Sequence, residues 1–567
     1  MVRLDKATAI VAALVLASFA VGGVASHYLS SRGYFSALKN FVRGASETTQ
    51  DASAEVEGPK TRRVISIFTP LDLTPVELPP RERPGNGGGL SRIGDDGFVL
   101  LRFDGTFWRV DADETVTQLP LTPPPNGFDG FQAFAESDAG ASHQFQFESF
   151  RYNDVEYFEK DGAHHLAISF TYFDAERRCH GNRVALASFE TRDFAGGPEA
   201  WRTLYSSEPC LPMLTWRFAI EGTMAGGRIV YGGDGNLFLA NGDYLFDGTY
   251  GPSDLIVSQG ADSHYGGVVK IAVADGAFEV LTRGNRNMQG VAFDDAGGLW
   301  VTEHGMRGGD ELNLIKPGAN YGWPFVSYGT TYAALPIETI PPQNMGRHPD
   351  YQKPVFSFLP SIAISSLTHI KDFDPTWNGD LLAGGLRSQK LVRMRVENER
   401  VVFTEEITIG ERIRDLEEIG GGKIAIWTDQ NMVLLMEKGQ GGLGGQFLDI
   451  KLAELPEDMR RDVGAVMSTC RECHSVEEAD HEAAPSLARL NGRQIGSTSF
   501  YGYSDALRDD DRAWSRELLL AYLDDPEAFA PGTSMLRIEM EPEVREALVD
   551  LLISLSDDVY LPRSQRP

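Results

Sequence analysis

Two cysteines and a histidine stand at a spacing that can attach haem covalently. Cys470 and Cys473 are three positions apart, and His474 follows directly. Thiols at this spacing can each add to a haem vinyl group, while the adjacent imidazole reaches the iron. A thioredoxin-like redox pair would need a βαβ setting, whereas the flanking runs have helical spacing, and no second Cys/His pair follows at zinc-finger spacing. The motif therefore predicts a covalently bound haem c.

The sixth ligand of the haem iron is expected downstream of this motif. Met535 follows the Pro531-Gly532 turn, which should interrupt any helix. Its thioether is a soft neutral ligand that raises the potential of the iron and suits electron transfer. Met540 is a rival ligand, and an ordinary core position is the other interpretation of Met535. Position favours Met535 as the ligand.

The segment that carries these residues resembles a class I cytochrome c of the mitochondrial and bacterial type. The likeness covers roughly residues 462–557 and includes the runs CRECH, PSLARLNGRQIGS, YGYSDAL and YLDDPEAFAPGTSM. It implies that Cys470 and Cys473 form the haem thioethers. It also implies that His474 and Met535 are the axial ligands.

The same resemblance implies roles for residues around the haem. Pro485 is expected to accept the N–H of the histidine ligand, and Tyr522 to lie beside the methionine. The residues expected to hold the haem propionates are Arg493, Tyr503 and Trp514.

The charge of this segment departs from the family pattern. Family members that dock to acidic partners surround the haem edge with Lys, whereas residues 461–567 contain no Lys and carry 11 Arg against 21 Asp and Glu, a net charge of −10. We therefore expect a basic, neutral or physically tethered respiratory electron acceptor.

Polar residues cluster in a second part of the chain. Arg286 and Asn287 stand in RGNRNMQG, and Arg and Asn can fix an acidic, oxygen-rich ligand through forked hydrogen bonds. The run EHGMRGGDE (303–311) combines a Gly-rich backbone with carboxylates, which suits a hard cation such as calcium. Each cluster alone is also typical of turns or of surface networks. No G-x-G-x-x-G run opens a helix, which disfavours a Rossmann cofactor.

Together these runs resemble the soluble glucose/sorbosone dehydrogenases, which are six-bladed β-propellers carrying pyrroloquinoline quinone (PQQ) and calcium. The match extends from about residue 215 to residue 436 and includes RGNRNMQGVAF, WVTEHGMRGGDELNLIKPGANYGWPFVSYG, LPSIAISSLTHI and ERIRDLEEIGGGKIAIWTD. The resemblance implies that the quinone contacts Arg286, Asn287, Arg387 and Lys390. It implies that Gly305 and Met306 offer carbonyls to a quinone-bound calcium, with Glu311 and Tyr321 at a neighbouring structural calcium.

One departure from this family bears on catalysis. The family carries a His as general base shortly before Gly-Gly-Arg, and this sequence has Met224 in its place. A thioether cannot accept a proton at neutral pH, and a missing base costs about 10²–10⁴ in rate. The conceivable substitutes are Glu221, Asp243 and His264. The catalytic base therefore stays unassigned from the sequence.

The residue composition indicates the fold that positions these groups. Sixty Gly and 30 Pro among 567 residues indicate many tight turns, and turn–strand–turn units recur, as in GDDGFVLLRFDGTFWRV (94–110) and GDGNLFLANGDY (233–244). Such recurrence favours a β-propeller, although a β-sandwich or paired barrels use the same turns. With the two resemblances, we expect an all-β six-bladed propeller at 64–437, a Gly-rich linker at 438–461, an all-α class I cytochrome c domain at 462–558 and a tail at 559–567.

The N-terminus has the properties of a membrane anchor. Arg3 and Lys6 precede an uncharged apolar stretch from Ala7 to about Ser26, close to the ~20 residues that cross a bilayer. We expect a transmembrane helix within residues 1–30, followed by a linker at 31–63, while a cleaved signal peptide is the alternative. Because positive charges stay cytoplasmic, the rest of the chain is expected in the periplasm, anchored to the inner membrane.

Charge and cysteine usage complete the prediction. Lys and Arg number 52 against 81 Asp and Glu, and this net charge of −29 excludes a nucleic-acid partner. Cys179 and Cys210 are expected to form a disulfide, with two buried thiols as the alternative.

The predicted function is that of a PQQ-dependent dehydrogenase that oxidises an aldose or related alcohol and passes electrons to haem c. The alternative is a degenerate propeller that serves as a docking platform, with only the cytochrome active in electron transfer.

Overall fold

The computed structural model describes residues 61–67, 69–94, 97–137, 147, 150–213, 223–249, 255–439, 448, 451–476, 483–498 and 500–555. The predicted helix at 1–30, nearly all of the linker at 31–63 and the tail at 559–567 lie outside this part of the chain. Among the described residues, no helix is long and apolar enough to cross a membrane.

In the described part of the chain, antiparallel strands form six sheets, the blades of a β-propeller, which confirms the predicted fold. The chain enters with β1 (Arg62–Ile65) and β2 (Pro70–Glu77). Blade I consists of β3 (Gly88–Arg92), β4 (Gly97–Arg102), β5 (Phe107–Asp111) and β6 (Val116–Gln118). After helix α1 (Phe128–Glu136), blade II consists of β7 (Tyr152–Lys160), β8 (Ala163–Asp174), β9 (Cys179–Phe189) and β10 (Trp201–Ser206), with β11 (Leu211–Pro212) paired to β9.

The remaining blades follow in chain order. Blade III consists of β12 (Gly226–Tyr231), β13 (Asn236–Asn241), β14 (Gly267–Ala272) and β15 (Phe278–Val280). Blade IV consists of β16 (Met288–Phe293), β17 (Leu299–Glu303), β18 (Asp310–Leu314) and β19 (Phe356–Phe358). Blade V consists of β20 (Ile364–His369), β21 (Leu381–Gly385), β22 (Lys390–Glu397) and β23 (Arg400–Thr408). Blade VI contains β24 (Ile413–Gly420), β25 (Lys423–Thr428) and β26 (Met432–Lys438).

Blade VI closes the ring because it also takes in the first two strands of the propeller. β2 pairs with β26, from Leu71 opposite Lys438 to Glu77 opposite Met432, and β1 pairs with β2 at the outer edge. The first strands of blades I to V and β24 of blade VI contact one another in a closed ring around a central channel. Because successive strand residues face opposite sides, alternate residues of these six inner strands can line the channel.

Apolar side chains fill the spaces between neighbouring blades. Between blades II and III, for example, Phe158 and Leu186 pack with Ile229 and Leu239. Equivalent buried clusters occupy the other five blade interfaces. This burial supplies roughly 25 cal/mol for each Å² of apolar surface removed from water.

Aspartates in the hairpin turns account for the recurring turn–strand pattern. The carboxylate of Asp104 accepts a hydrogen bond from the Thr106 N–H at 3.1 Å, and the intervening Gly105 has a φ of 91°, which favours Gly. The N–H two residues on makes the same bond to Asp113, Asp234, Asp294 and Asp374.

A disulfide joins Cys179 of β9 to Cys210, which confirms the predicted pairing. The two residues are 31 positions apart, and their Cα atoms lie 5.5 Å apart. Closing a loop of this length stabilises a fold by about 3–4 kcal/mol.

The described residues of the C-terminal part of the chain form an all-α domain, as predicted. Its helices are α2 (Glu457–Cys470), α3 (Asp505–Arg508), α4 (Arg516–Asp524), α5 (Pro526–Phe529) and α6 (Pro542–Ser554). Helix α6 packs against α2 and α4, and one apolar core contains Val463 of α2, Leu519 of α4 and Leu548 of α6. The side chains of Ser504, Ser515 and Asp525 cap the first turns of α3, α4 and α5.

Candidate active site and haem site

The turn before β16 places Arg286 and Asn287 at one end of the central channel. The Arg286 N–H donates to Oε2 of Glu303 at 2.7 Å, and the Asn285 side chain donates to Oε1 of the same carboxylate at 2.8 Å. The Arg286 carbonyl in turn accepts from the Asp243 N–H at 2.9 Å. Glu303 ends β17, so that strand fixes the turn that carries Arg286.

The guanidinium of Arg286 is buried and only partly satisfied. Its Nη1 donates to the carbonyl oxygens of Gly305 at 2.7 Å and His304 at 3.2 Å, and its centre lies 5.3 Å from the Trp323 ring. Its Nε and Nη2 have no acceptor at hydrogen-bond geometry among the described residues, although Arg286 is only 2% exposed, while Tyr332 interacts with the guanidinium through its charge and a hydrogen bond. Leaving such donors unpaired costs about 1–3 kcal/mol each. The arrangement therefore fits an anionic, oxygen-rich ligand such as PQQ, whose carboxylates would supply acceptors.

Asn287 connects this turn to the segment that contains Met224. Its Oδ1 accepts from the Gly226 N–H at 3.1 Å and from Nε2 of Gln289 at 2.9 Å. Its Nδ2 lies 3.3 Å from Nδ1 of His304. Burial lowers the pKa of His304 to about 4, so this imidazole is neutral at pH 7.

Asp243 lies behind Arg286 and is fully buried. Its Oδ2 accepts from Nε1 of Trp323 at 2.7 Å, and its Oδ1 accepts from the Leu245 N–H at 3.0 Å. Burial, together with the charge of Asp247, raises the pKa of Asp243 to about 7, although Arg286 opposes this rise. This carboxyl can therefore bind and release a proton near neutral pH.

Glu311 and Tyr321 contribute to a small cavity of about 20 Å³ beside Arg286. Glu303 also lines it, and burial raises the pKa of both glutamates, most strongly that of Glu311, which Glu303 repels. Asn313 donates to both carboxylates, and its Oδ1 has no partner among the described residues. These oxygens fit a hard cation, although no three His, Cys, Asp or Glu side chains meet at metal-binding distances in the described part of the chain.

The carbonyls of Gly305 and Met306, predicted for a quinone-bound calcium, have a different environment from the cavity at Glu311 and Tyr321. The Gly305 oxygen already accepts from Arg286, and the Gly305 N–H donates to Asp310 at 2.9 Å. Met306 is buried next to it and forms a backbone bridge with Gly308. The fit to calcium is thus better at Glu311 and Tyr321 than at Gly305.

The haem motif lies at the end of α2. The N–H groups of Cys473 and His474 both donate to the Cys470 carbonyl, at 3.2 and 3.0 Å, so the chain turns sharply after the helix. Nδ1 of His474 lies 2.6 Å from the Pro485 carbonyl, which makes Nδ1 the protonated nitrogen and Nε2 the one with a lone pair. This geometry suits an axial iron ligand. Burial raises the pKa of the Cys470 thiol to about 11, whereas Cys473 is exposed.

The predicted methionine ligand belongs to a loop anchored by Tyr522. The Tyr522 hydroxyl lies 3.0 Å from Oγ1 of Thr533, and the same oxygen accepts from the Met535 N–H at 3.3 Å. Met535 and Met540 are both half-buried against the helical core, so packing alone does not separate the two candidates.

The three residues predicted at the haem propionates have distinct contacts. Arg493 donates from its guanidinium to the carbonyls of Ser486 at 2.9 Å and Ala488 at 2.8 Å, which braces the loop after Pro485. The Tyr503 hydroxyl pairs with Thr498 at 2.8 Å. The buried Trp514 ring stacks 5.9 Å from Phe529.

Comparison with known proteins agrees with both halves of this description. The family described as glucose/sorbosone dehydrogenase matches residues 157–437. An aldose sugar dehydrogenase of Escherichia coli is 32% identical over 221 residues, which cover 37% of this chain and 58% of that protein. A cytochrome c of Guizotia abyssinica is 38% identical over 85 residues, which cover 15% of this chain and 77% of the cytochrome. This chain is a propeller similar to the glucose/sorbosone dehydrogenases, fused to a domain of the cytochrome c family.

The solved structures agree with the propeller fold of this fusion protein. The apo crystal structure of a soluble aldose sugar dehydrogenase from Escherichia coli aligns with a TM-score of 0.51 at 22% identity, covering 65% of this chain and 99% of that one. The first relatives that match the propeller by sequence are covered over only 58% to 65% of their own length.

Two of the four predicted quinone contacts, Arg387 and Lys390, do not line the cavity beside Arg286. Arg387 is exposed, and its N–H donates to the Ile362 carbonyl at 3.1 Å. Lys390 pairs with Glu406 across β22 and β23 at 2.5 Å. Neither lines the cavity beside Arg286.

Of the conceivable bases, Asp243 is the one that the structure places beside Arg286. His264 accepts from the Glu208 N–H at 3.1 Å and packs against Phe278 on β15. Glu221 lies outside the described residues. No role was predicted for His304 and Trp323, although both stand inside the runs that carry the family resemblance.

Proposed function

We propose that the fusion protein is an oxidoreductase in which the propeller oxidises an aldose or related alcohol with PQQ and the cytochrome domain carries the electrons away on haem c. The observation that carries this proposal is the pair of unsatisfied, buried donors of Arg286 above Trp323. When bound, PQQ supplies a quinone that accepts two electrons from the alcohol carbon.

The chain's own residues would bind and orient this cofactor. Arg286 offers Nε and Nη2 to its anionic oxygens, and Asn287 holds the segment from Met224 to Gly226 against the site. Asp243, with its pKa near 7, can take up a proton behind Trp323. Glu311 and Tyr321 are proposed to hold calcium next to the site.

In the cytochrome domain, the proposed roles follow the resemblance. Cys470 and Cys473 would bind haem c, His474 and Met535 would ligate its iron, and Arg493, Tyr503 and Trp514 would hold its propionates. Oxidation of an alcohol releases two electrons and two protons, whereas haem takes one electron at a time, so each substrate requires two haem oxidation events. The acidic surface favours a basic, neutral or tethered acceptor.

The test is reduction of the haem by sugar. The full chain is loaded with PQQ and Ca²⁺, the haem is oxidised, and aldoses are added while the haem spectrum is followed. We expect reduction that depends on PQQ and is lost in the Arg286→Gln variant. Arg283→Gln is the matched control, because Arg283 is exposed three positions away. No reduction by any aldose at any quinone loading would contradict the proposal.

A second candidate function is a docking platform with an inactive propeller. One supporting observation is Met224, which stands in the segment next to Asn287, where the family has a proton acceptor. The other is that Arg387 and Lys390 do not line the cavity beside Arg286. Stoichiometric PQQ binding measured by calorimetry would argue against it.

We also propose that residues 1–30 anchor the protein to the inner membrane with both domains in the periplasm. The supporting observation is the apolar stretch after Arg3 and Lys6. Recovery of the intact chain in the membrane fraction, released by protease added from the periplasmic side, is the expected result.

A further inference from the structure

The far end of the central channel contains a cavity of about 310 Å³. Arg286 and Asn287 precede β16, whereas this cavity is lined by the later residues of that strand, including Ala292 and Phe293. It is therefore separate from the proposed quinone site, and a ligand bound in it would be independent of the proposed function.

Arg228 separates the two ends of the channel. Its Nη1 donates to Asp154 of β7 and Asp415 of β24, both at 2.8 Å, and its Nε donates to the Gln289 carbonyl at 3.1 Å. Its Nη2 donates to the Arg414 carbonyl at 2.7 Å. One cation on β12 thus joins inner strands from three other blades and partly neutralises two buried aspartates.

Two glutamates lie beyond this arginine without a cationic partner. Glu156 and Glu417 come two residues after Asp154 and Asp415, so the strand alternation puts them on the same channel-facing side. Glu156 accepts from the Tyr231 N–H at 2.8 Å and from Ser91 at 3.3 Å. Among the described residues, no ion pair joins either glutamate to Lys, Arg or His.

Burial and neighbouring carboxylates act on both glutamates. Burial raises the pKa of Glu156 to about 8, and burial together with the nearby charge of Glu156 raises the pKa of Glu417 well above its ordinary value. Glu417 also accepts a backbone hydrogen bond from Arg92, so each of the two carboxyls has a backbone donor.

An unpaired hydroxyl provides an independent sign of a missing ligand. Ser366 of β20 lines the same cavity and is 1% exposed, and its Oγ has no hydrogen-bond partner in the described part of the chain. The acidic and basic side chains around the cavity comprise six carboxyl groups and three cations: Asp154, Glu156, Asp372, Asp415, Glu417, Glu418, Arg92, Arg228 and Lys371.

We infer that this cavity binds a hydrated divalent cation through the carboxylates of Glu156 and Glu417 and the hydroxyl of Ser366. Hard cations prefer oxygen ligands, and with only two carboxylates at hand water must complete the coordination shell, for which the cavity has room. The cation would connect β7 of blade II, β20 of blade V and β24 of blade VI. It would thereby strengthen the ring next to the blade that closes it.

The test compares calcium binding between variants of the full chain. Each protein is stripped with a chelator and titrated with CaCl₂ by calorimetry at neutral pH, and its thermal unfolding is recorded with and without Ca²⁺. The variants are Glu417→Gln and Glu156→Gln. Glu279→Gln is the matched control, because Glu279 is exposed on the outer strand β15.

We expect the wild type and the Glu279→Gln control to bind one more Ca²⁺ than either channel variant. Without Ca²⁺ the channel variants should be at least as stable as the wild type, because a neutral amide cannot ionise beside the neighbouring carboxylates, but they should gain less stability when Ca²⁺ is added. Equal stoichiometry and equal stabilisation in all four proteins would overturn the inference.

Ser366→Ala keeps the test decisive if a glutamine variant does not fold. This change leaves every charge in place and removes one oxygen, so Ca²⁺ binding to this site should weaken by roughly 10-fold or more, as for other losses around a metal. Tb³⁺ luminescence sensitised by Tyr231, which lines the cavity, reports the same loss. Unchanged Ca²⁺ affinity and unchanged Tb³⁺ emission in Ser366→Ala would contradict the site.

Discussion

Nη1 of Arg286 donates a hydrogen bond to the carbonyl oxygen of Gly305 at 2.7 Å. This bond connects the turn before β16 with the loop after β17, and it directs one side of the guanidinium toward the backbone. The other two nitrogens, Nε and Nη2, remain the donors available to a ligand. Nη1 of Arg286 thus stabilises the fold, whereas Nε and Nη2 can bind a ligand, and the two roles can be tested separately.

If Nε and Nη2 of Arg286 bind PQQ, the Arg286→Lys variant should have a lower affinity for PQQ. Lysine keeps the positive charge but cannot present two donors in a fixed fork. Hydrogen bonds to charged groups contribute about 1.5–3 kcal/mol each, so affinity should fall by roughly 10- to 100-fold. Equilibrium titration with PQQ measures this, with Arg283→Lys as the control. Equal affinity of both variants would count against a quinone contact at Arg286.

Met224→His should increase the rate of sugar oxidation if the base is missing. Met224 has a φ of 58°, a conformation in which His is found more readily than most residues, so the backbone should tolerate the change. A positioned base contributes about 10²–10⁴ in rate. The rate of haem reduction should rise with pH as the new imidazole loses its proton, while Met224→Leu stays at the wild-type rate. An unaltered rate in Met224→His would point to another base, such as Asp243.

Arg228→Met should strongly destabilise the propeller. The change leaves Asp154 and Asp415 buried without their cation, and breaking such a pair costs about 3–5 kcal/mol. Lys390→Met is a suitable contrast, because its pair with Glu406 is exposed and should contribute no more than about 1 kcal/mol. Urea unfolding measures both free energies. Adding Asp154→Asn and Asp415→Asn to Arg228→Met should recover much of the loss.

The pKa of Glu156 predicts a pH dependence of stability. Folding raises this pKa from 4.5 to about 8, so within this window the folded state binds more protons than the unfolded chain. The free energy of unfolding therefore falls as pH rises through the window. In the presence of a chelator, the melting temperature of Glu156→Gln should fall less steeply with pH than that of the wild type or of Glu279→Gln. Parallel curves for all three proteins would refute the assignment.

Met535→His should lower the midpoint potential of the haem. A thioether ligand raises the iron potential relative to an imidazole, so the replacement has a defined direction. Met540→Leu is the control, because both methionines pack against the same core but only Met535 is proposed to ligate iron. Redox titration of both variants shows whether Met535 or Met540 ligates the iron. A lowered potential in Met540→Leu with none in Met535→His would reverse the assignment.

Local signals made much of this molecule predictable from its sequence. The spacing of Cys470, Cys473 and His474 identifies a haem site because three neighbouring residues carry the whole motif. Asp104 and Gly105 likewise form their turn with bonds to residues two positions away. Such features need no knowledge of the rest of the fold.

Contacts between distant strands were not predictable in the same way. Lys390 stands three residues from Arg387 in a run that resembles quinone-binding sequences, yet its partner is Glu406 on the neighbouring strand. Arg228 meets Asp154 and Asp415, which are 74 and 187 positions away. No local sequence pattern encodes this ion pair, because it depends on how the six inner strands pack around the channel.

The pairing of β2 with β26 has a consequence for the order of events during folding. The ring cannot close until Lys438 has been synthesised, since Leu71 has no strand partner on that side before then. If the chain is exported as proposed, it would hold five blades and an open edge while the last blade is still crossing the membrane. In the proposed periplasmic location, chaperones would meet this incomplete ring, and the haem-attachment machinery would receive its Cys470–His474 substrate only after closure has become possible.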